Sequence, residues 1–130
     1  MRVLVMGGTH FNGLALVREL ARAGHDVTIC NRGRSDADLP DGIDRLVADR
    51  TDADQLRDVL GGTEWDCVQD MTAYHPDDVA IMIELFGGGR AGHYIFASST
   101  VTYAPSDTLP ITEEFPDDRG PNQNQYGLHK

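Results

Sequence analysis

Tyr126 and Lys130 lie four residues apart in the run Tyr126-Gly127-Leu128-His129-Lys130. Four residues is close to one helical turn, so a helix through this segment sets a phenol and an ammonium on one face. A positive charge beside a phenol favours the phenolate, and a tyrosine tuned in that way is a general acid and base for a carbinol oxygen. Ser99, in the polar run Ser98-Ser99-Thr100, supplies a hydroxyl that can orient the reacting oxygen and share its proton, with Thr100 the alternative if Ser99 turns into the core. A Tyr-x-x-x-Lys pair by itself is more commonly a pair on a helix surface. Its catalytic reading depends on what the rest of the chain builds around it.

Val3-Leu4-Val5-Met6 is a short apolar run ending in two glycines, the pattern of a buried parallel strand. Leu14, Leu16, Val17, Leu20 and Ala21 recur near the helical period and stop at Gly24-His25. Further strands are expected at Val27–Cys30, Arg45–Ala48, Asp66–Asp70 and His93–Ala97. Asp52 can cap a helix carrying Leu56, Val59 and Leu60, and Pro76 suits the first turn of another that runs through Met82 and Phe86 to Gly87-Gly88-Gly89. A proline- and acid-rich loop follows from Pro105 to Pro121, and a last helix begins near Asn122 to Gln125. Strand and helix alternate with no repeat or interdomain linker. The pattern predicts one α/β domain over residues 1–130, a Rossmann-type doubly wound parallel sheet with helices on both faces.

Such sheets bind ligands beyond the carboxyl ends of their strands, where the strand order reverses. The glycine turn, Asn31-Arg32, Asp49, Asp70 to Tyr74 and Ser98 to Thr100 all fall at those ends. Gly7, Gly8 and Gly13 frame Thr9, His10, Phe11 and Asn12 between the first strand and the first helix, so backbone N–H groups and the positive helix end can hold a pyrophosphate. His10 stands where a dinucleotide fingerprint has its middle glycine, which keeps the backbone further from phosphate but offers an imidazole. After the second strand, Asn31 and Arg32 replace the carboxylate that grips an adenosine ribose in NAD sites. A guanidinium accepts a 2′-phosphate, so NADP is the expected cofactor. NAD is the alternative, because Asn31 can also bond a ribose hydroxyl. Asp49 can accept from the adenine amino group or serve only as a polar residue at a helix entry. Ser98 and Ser99 at the fifth strand end would then meet Tyr126 and Lys130 beside the nicotinamide ribose.

Formal net charge is −10, from sixteen Asp and five Glu against ten Arg and one Lys, so the average surface repels nucleic acid and anionic membranes. No apolar run approaches the ~20 residues of a membrane span, and the first segment lacks the features of a secretory signal. A cytoplasmic location is the default expectation. Cys30 and Cys67 each fall in a predicted buried strand with the first strand between them, which disfavours a disulfide. No His and Cys pair has metal-ligand spacing, so no metal site is expected.

Together these segments resemble the extended short-chain dehydrogenase/reductase family, the NAD-dependent epimerases and dehydratases included. The likeness is carried by Gly7-Gly8-Thr9-His10-Phe11-Asn12-Gly13, by Gly24-His25-Asp26-Val27-Thr28 with Asn31-Arg32-Gly33, by Ser98-Ser99-Thr100-Val101-Thr102-Tyr103, and by Tyr126 with Lys130. It implies that Ser99, Tyr126 and Lys130 are catalytic and that Ala73 contacts the cofactor. Sugar-nucleotide dehydratases of that family carry an Asp-Glu pair after the catalytic hydroxyl, where this chain has Thr100 and Val101. The resemblance therefore implies hydride transfer without dehydration, by an epimerase or a reductase acting on a nucleotide sugar or a related carbinol or ketone. Thr9 and Phe11 also resemble chloroplast stem-loop-binding proteins, so RNA binding on the same fold is the alternative, as is cofactor binding without turnover. Family members are longer than this chain. The resemblance thus implies an amino-terminal part of a longer protein, truncated before its last strands and its substrate lobe, with a homodimer open to the full-length form. Alone, the segment is expected to expose an apolar sheet edge, bind cofactor weakly and turn nothing over.

Overall fold

A computed structural model describes residues Met1 to Lys130. Five strands, β1 (Arg2–Met6), β2 (Asp26–Asn31), β3 (Asp44–Val47), β4 (Trp65–Asp70) and β5 (Ala91–Phe96), pair entirely in parallel in the order β3-β2-β1-β4-β5. The helices are α1 (Phe11–Arg22), α2 (Ala53–Leu60), α3 (Pro76–Phe86) and the short α4 (Gln125–His129). Strand order reverses beside β1, between β2 and β4, so the glycine turn after β1 opens at the switch point.

The apolar run of β1 is shared between two cores because successive side chains point to opposite faces. Val3 and Val5 join Val17 of α1 with Val27 and Ile29, whereas Leu4 and Met6 join Leu56 and Leu60 of α2 and Met82, Leu85 and Phe86 of α3. Helices therefore cover both faces of the sheet. Each large side chain buried this way is worth roughly 1.5–3 kcal/mol. Those faces fix the carboxyl edge of the sheet as a rigid rim. Cys30 and Cys67 are free and buried on strands that flank β1, and burial pushes the Cys30 thiol up to about 11.

The last quarter of the chain, after β5, has little regular structure yet is tied back to the rim. A bridge between Tyr103 and Asp117, with Ala104 N–H donating to the Pro116 carbonyl and Asp118 N–H to that of Thr102, closes the proline-rich loop. The loop then delivers α4 onto a 3₁₀ turn at Thr100–Thr102, where the Gln123 carboxamide donates to the Val101 carbonyl at 2.6 Å. β5 lies at the sheet edge with β4 as its one neighbour, and Ile95 on it is 47% exposed. No helix is long and apolar enough to cross a membrane.

Candidate functional site

The turn after β1 works by close approach. Gly7 and Gly8 have φ of 103° and 84°, and a Cβ on Gly8 would stand 2.9 Å from Ile29 Cγ2 and 3.0 Å from Val17 Cγ2. A Cβ on Gly13 would meet the Gly8 nitrogen at 3.1 Å, so α1 sits against the turn at a distance only glycine permits. His10 is the N-cap of α1, but its side chain does not cap the helix, and the first turn carries no acid. Its Nδ1 instead lies 3.2 Å from the Thr9 hydroxyl. By contrast, Asp52 caps α2, and α3 has an acidic first turn, with Asp78 accepting from Tyr74 N–H and His75 N–H. Of the three long helices, α1 alone leaves its amino end to an anion, which fits the phosphates of a dinucleotide. Phe11 is the strained member of the turn, at φ 44° and 92% exposed.

A cavity of about 560 Å³ opens beside this turn. Gly7, Thr9, His10, Asn31, Arg32 and Asp49 line it, as the strand-end argument predicts. Asn31 is held by the backbone, donating to the Gly7 carbonyl at 3.4 Å and accepting from Gly33 N–H at 2.8 Å. Arg32 lines the same wall with Arg34 and Ser35, which the sequence reading did not single out. Neither guanidinium is paired with a carboxylate. Asp49 accepts from Thr51 N–H and the Thr51 hydroxyl at 3.0 and 2.8 Å. Those bonds, with the charges of Arg32 and Arg34, hold its carboxyl below the usual range. The helix-capping role belongs to Asp52, not Asp49.

Gly8, Phe11, Asn12, Gly13, Ala73, Ser98, Ser99, Tyr126 and Lys130 do not line that cavity. The last five sit beside it, at the ends of β4 and β5. Lys130 Nζ donates to the Ala73 carbonyl at 2.6 Å and the Ala97 carbonyl at 2.8 Å. It lies 4.7 Å from the ring centre of Phe96, 4.9 Å from that of Tyr74 and 5.6 Å from that of Tyr126. Burial lowers the Lys130 pKa. Tyr126, 44% exposed, has its ring 6.3 Å from that of Tyr74, a residue of the cavity wall. The Ser98 hydroxyl donates to the Lys130 carbonyl, and the Ser99 hydroxyl accepts from Val101 N–H at 3.3 Å, capping the 3₁₀ turn.

Arg50 is the residue that sequence reasoning missed. It follows β3 and reaches Asp70 at the end of β4 with two bonds of 2.7 and 3.0 Å, while also donating to the Thr72 hydroxyl and the Asp78 carbonyl. Its Nε makes no hydrogen bond but lies 3.4 Å from Asp78 Oδ1. Burial works against its charge, yet the contacts with Asp70 and Asp78 prevail and its pKa is raised. Asp70 is fully buried and accepts as well from Thr72 N–H, Ala73 N–H and the Tyr94 hydroxyl. Burial, then the bond to Asp70, raises the Tyr94 pKa. Arg50 stands three residues beyond the end of β3, in a turn where no periodic pattern marks it.

This is an α/β nucleotide-binding architecture with its polar residues gathered at the switch point. The chain belongs to the NAD dependent epimerase/dehydratase family, whose profile matches residues 3–130. It is 32% identical to 2′-dehydrokanamycin reductase of Streptomyces kanamyceticus over 130 residues, covering 100% of this chain and 36% of that one. It is 34% identical to the chloroplast stem-loop binding protein of 41 kDa b of Arabidopsis thaliana, covering 87% and 33%. UDP-glucose 4-epimerase from Bifidobacterium longum, solved in complex with NAD+ and UDP, superposes with a TM-score of 0.83 at 22% identity, over 100% of this chain and 46% of that one. The chain thus spans about a third of the length of these curated relatives.

Proposed function

We propose that this chain supplies the dinucleotide site and the acid–base residues of an NAD(P)-dependent reductase or epimerase acting on a carbinol or ketone, with a nucleotide sugar or related molecule as substrate. The observation that carries the reading is the seat of Lys130, whose ammonium is held at the ends of β4 and β5 beside Tyr126, next to an anion-ready glycine turn. A nicotinamide dinucleotide held here would supply or accept the hydride at the substrate carbon. Gly7 to Gly13 would hold the pyrophosphate, Ala73 and Ser98 would flank the cofactor, Ser99 would orient the substrate oxygen, and Tyr126 would take or return its proton. Lys130, with Nζ 5.6 Å from the centre of the Tyr126 ring, would set its charge beside that residue and bond the nicotinamide ribose. Substituting Tyr126→Phe in the full-length enzyme removes that proton path and is expected to lower kcat at least a hundredfold with KM for the cofactor little changed. Retained turnover would refute the mechanism.

NADP is the favoured cofactor, because Arg32 and Arg34 line the cavity unpaired beside Asn31. A charged hydrogen bond to a phosphate is worth about 1.5–3 kcal/mol, so Arg32→Ala should raise KM for NADP by roughly tenfold or more and leave KM for NAD nearly unchanged. Equal effects on both would point to NAD. The relative that binds a chloroplast stem-loop favours an RNA reading, against which stands the net charge of −10. Calorimetric titration with NADP, NAD and a structured RNA separates the two.

A further inference from the structure

Lys130 owes its position to two carbonyls, and both residues that present them hang on Asp70. Ala73 offers its carbonyl to Nζ while its own N–H donates to Asp70 Oδ1 at 3.1 Å. Ala97 offers the other, and its N–H donates to the Asp70 main-chain carbonyl at 2.9 Å. We propose that Asp70 is the positioning residue for Lys130: its side chain sets the loop after β4, its main chain sets the end of β5, and the two carbonyls that cradle the ammonium follow from those bonds.

The rest of the network fixes Asp70 itself. Arg50 grips both of its oxygens from the end of β3, and Tyr94 donates to Oδ2 at 2.7 Å from β5. Arg50 also bonds Thr72 and Asp78, so the segment from Asp70 to the first turn of α3 is pinned at both ends. A carboxylate with five donors, wholly out of water, is a fixed point and not a mobile charge. A purely structural ion pair would serve as well without touching either residue that holds Lys130. What Lys130 is positioned for rests on the catalytic reading above; that Asp70 positions it does not.

Lys130 is the sole lysine in the sequence. In the full-length protein grown with ¹³Cε,¹⁵Nζ-lysine, the side-chain signal that Lys130→Arg removes is that of Lys130, expected with inequivalent ε-methylene protons and a titration midpoint below that of free lysine. In Asp70→Asn the charge and part of the bonding are lost, and the signal should move to the position and equivalence of free lysine while the backbone amide spectrum of β1, β2 and α1 stays in place. Tyr94→Phe removes a single donor and should move the signal in the same direction by a smaller step; it serves where Asp70→Asn fails to fold. An unchanged lysine signal in either folded variant, or a free-lysine signal in the parent chain, overturns the proposal. If Tyr126→Phe keeps turnover while Asp70→Asn still frees the lysine, the catalytic reading fails and the positioning claim stands.

Discussion

At the scale of single residues, the burial of charge decides what each ion pair is worth. Arg50 and Asp70 are 13% and 0% exposed as side chains, whereas Arg57 and Glu84, an ion pair of similar length, are 44% and 63% exposed. Exposed pairs contribute ~0–1 kcal/mol because water and salt screen them. Removing one partner of a buried pair strands the other, at a cost of about 3–5 kcal/mol. Arg50→Met is therefore expected to lower unfolding free energy by about 3 kcal/mol, the low end, because three other donors remain on Asp70. Arg57→Met should lower it by less than about 1 kcal/mol. Urea melts of the two variants check this, and equal losses would remove the buried network from its central place. Arg50 was not legible in the sequence for a plain reason. Its partners lie 20 and 28 residues further on, and a lone arginine among aspartates in a loop carries no periodic signal.

At the scale of elements, the sequence announces whatever is enforced by the sheet's own pattern. Val3 to Met6 and, Thr28 apart, Val27 to Cys30 are apolar because both faces of each strand are covered, and the observed strands differ from the expected ones by a residue or two at their ends. Asp52 and Pro76 mark helix starts because the groups that satisfy a helix end are local. The 3₁₀ turn was not foreseen, since Ser99 reads equally as a catalytic hydroxyl and as the cap it is here. The joint between β1 and α1 shows how an element can require a residue. Gly8 and Gly24 both have left-handed φ, 84° and 78°, but only at Gly8 would a Cβ collide with core atoms. Alanine at either position bears a backbone cost of roughly 1–2 kcal/mol. At Gly8 the overpacking of Ile29 and Val17 adds about 1–3 kcal/mol. Gly8→Ala should thus melt well below Gly24→Ala, and it alone should weaken dinucleotide binding. Similar melting temperatures for the two would mean that the close approach at Gly8 is not tight.

At the scale of the whole molecule, acidity sets the solution behaviour. Ion pairs engage eight of the twenty-one carboxylates, and the other thirteen repel one another across a surface with few cations. At 0.1 M salt the Debye length is ~10 Å, comparable to the spacing of surface charges, and at 1 M it falls to ~3 Å. Screening relieves this repulsion more than it weakens the few exposed pairs, and it leaves the buried Arg50–Asp70 pair nearly untouched. The pH dependence follows from the shifted groups. Asp49, lowered by its bonds to Thr51, adds stability that is present above the ordinary aspartate value and lost as pH falls through its folded value. Lys130, lowered by burial, holds its proton less tightly when folded, so its penalty is relieved as pH rises toward the ordinary lysine value. Tyr94, raised by burial and Asp70, contributes below about pH 10 and is lost above it. Stability should therefore fall below about pH 4, rise somewhat toward pH 10 as the Lys130 penalty is relieved, and be lost above about pH 10 as Tyr94 ionises more readily in the unfolded chain. Thermal melts at pH 7.5 from 0.05 to 1 M NaCl should show the midpoint rising steadily, and Arg50→Met should rise in parallel because its deficit is buried. A midpoint that falls with added salt would mean that exposed ion pairs, not carboxylate repulsion, govern the surface of this chain.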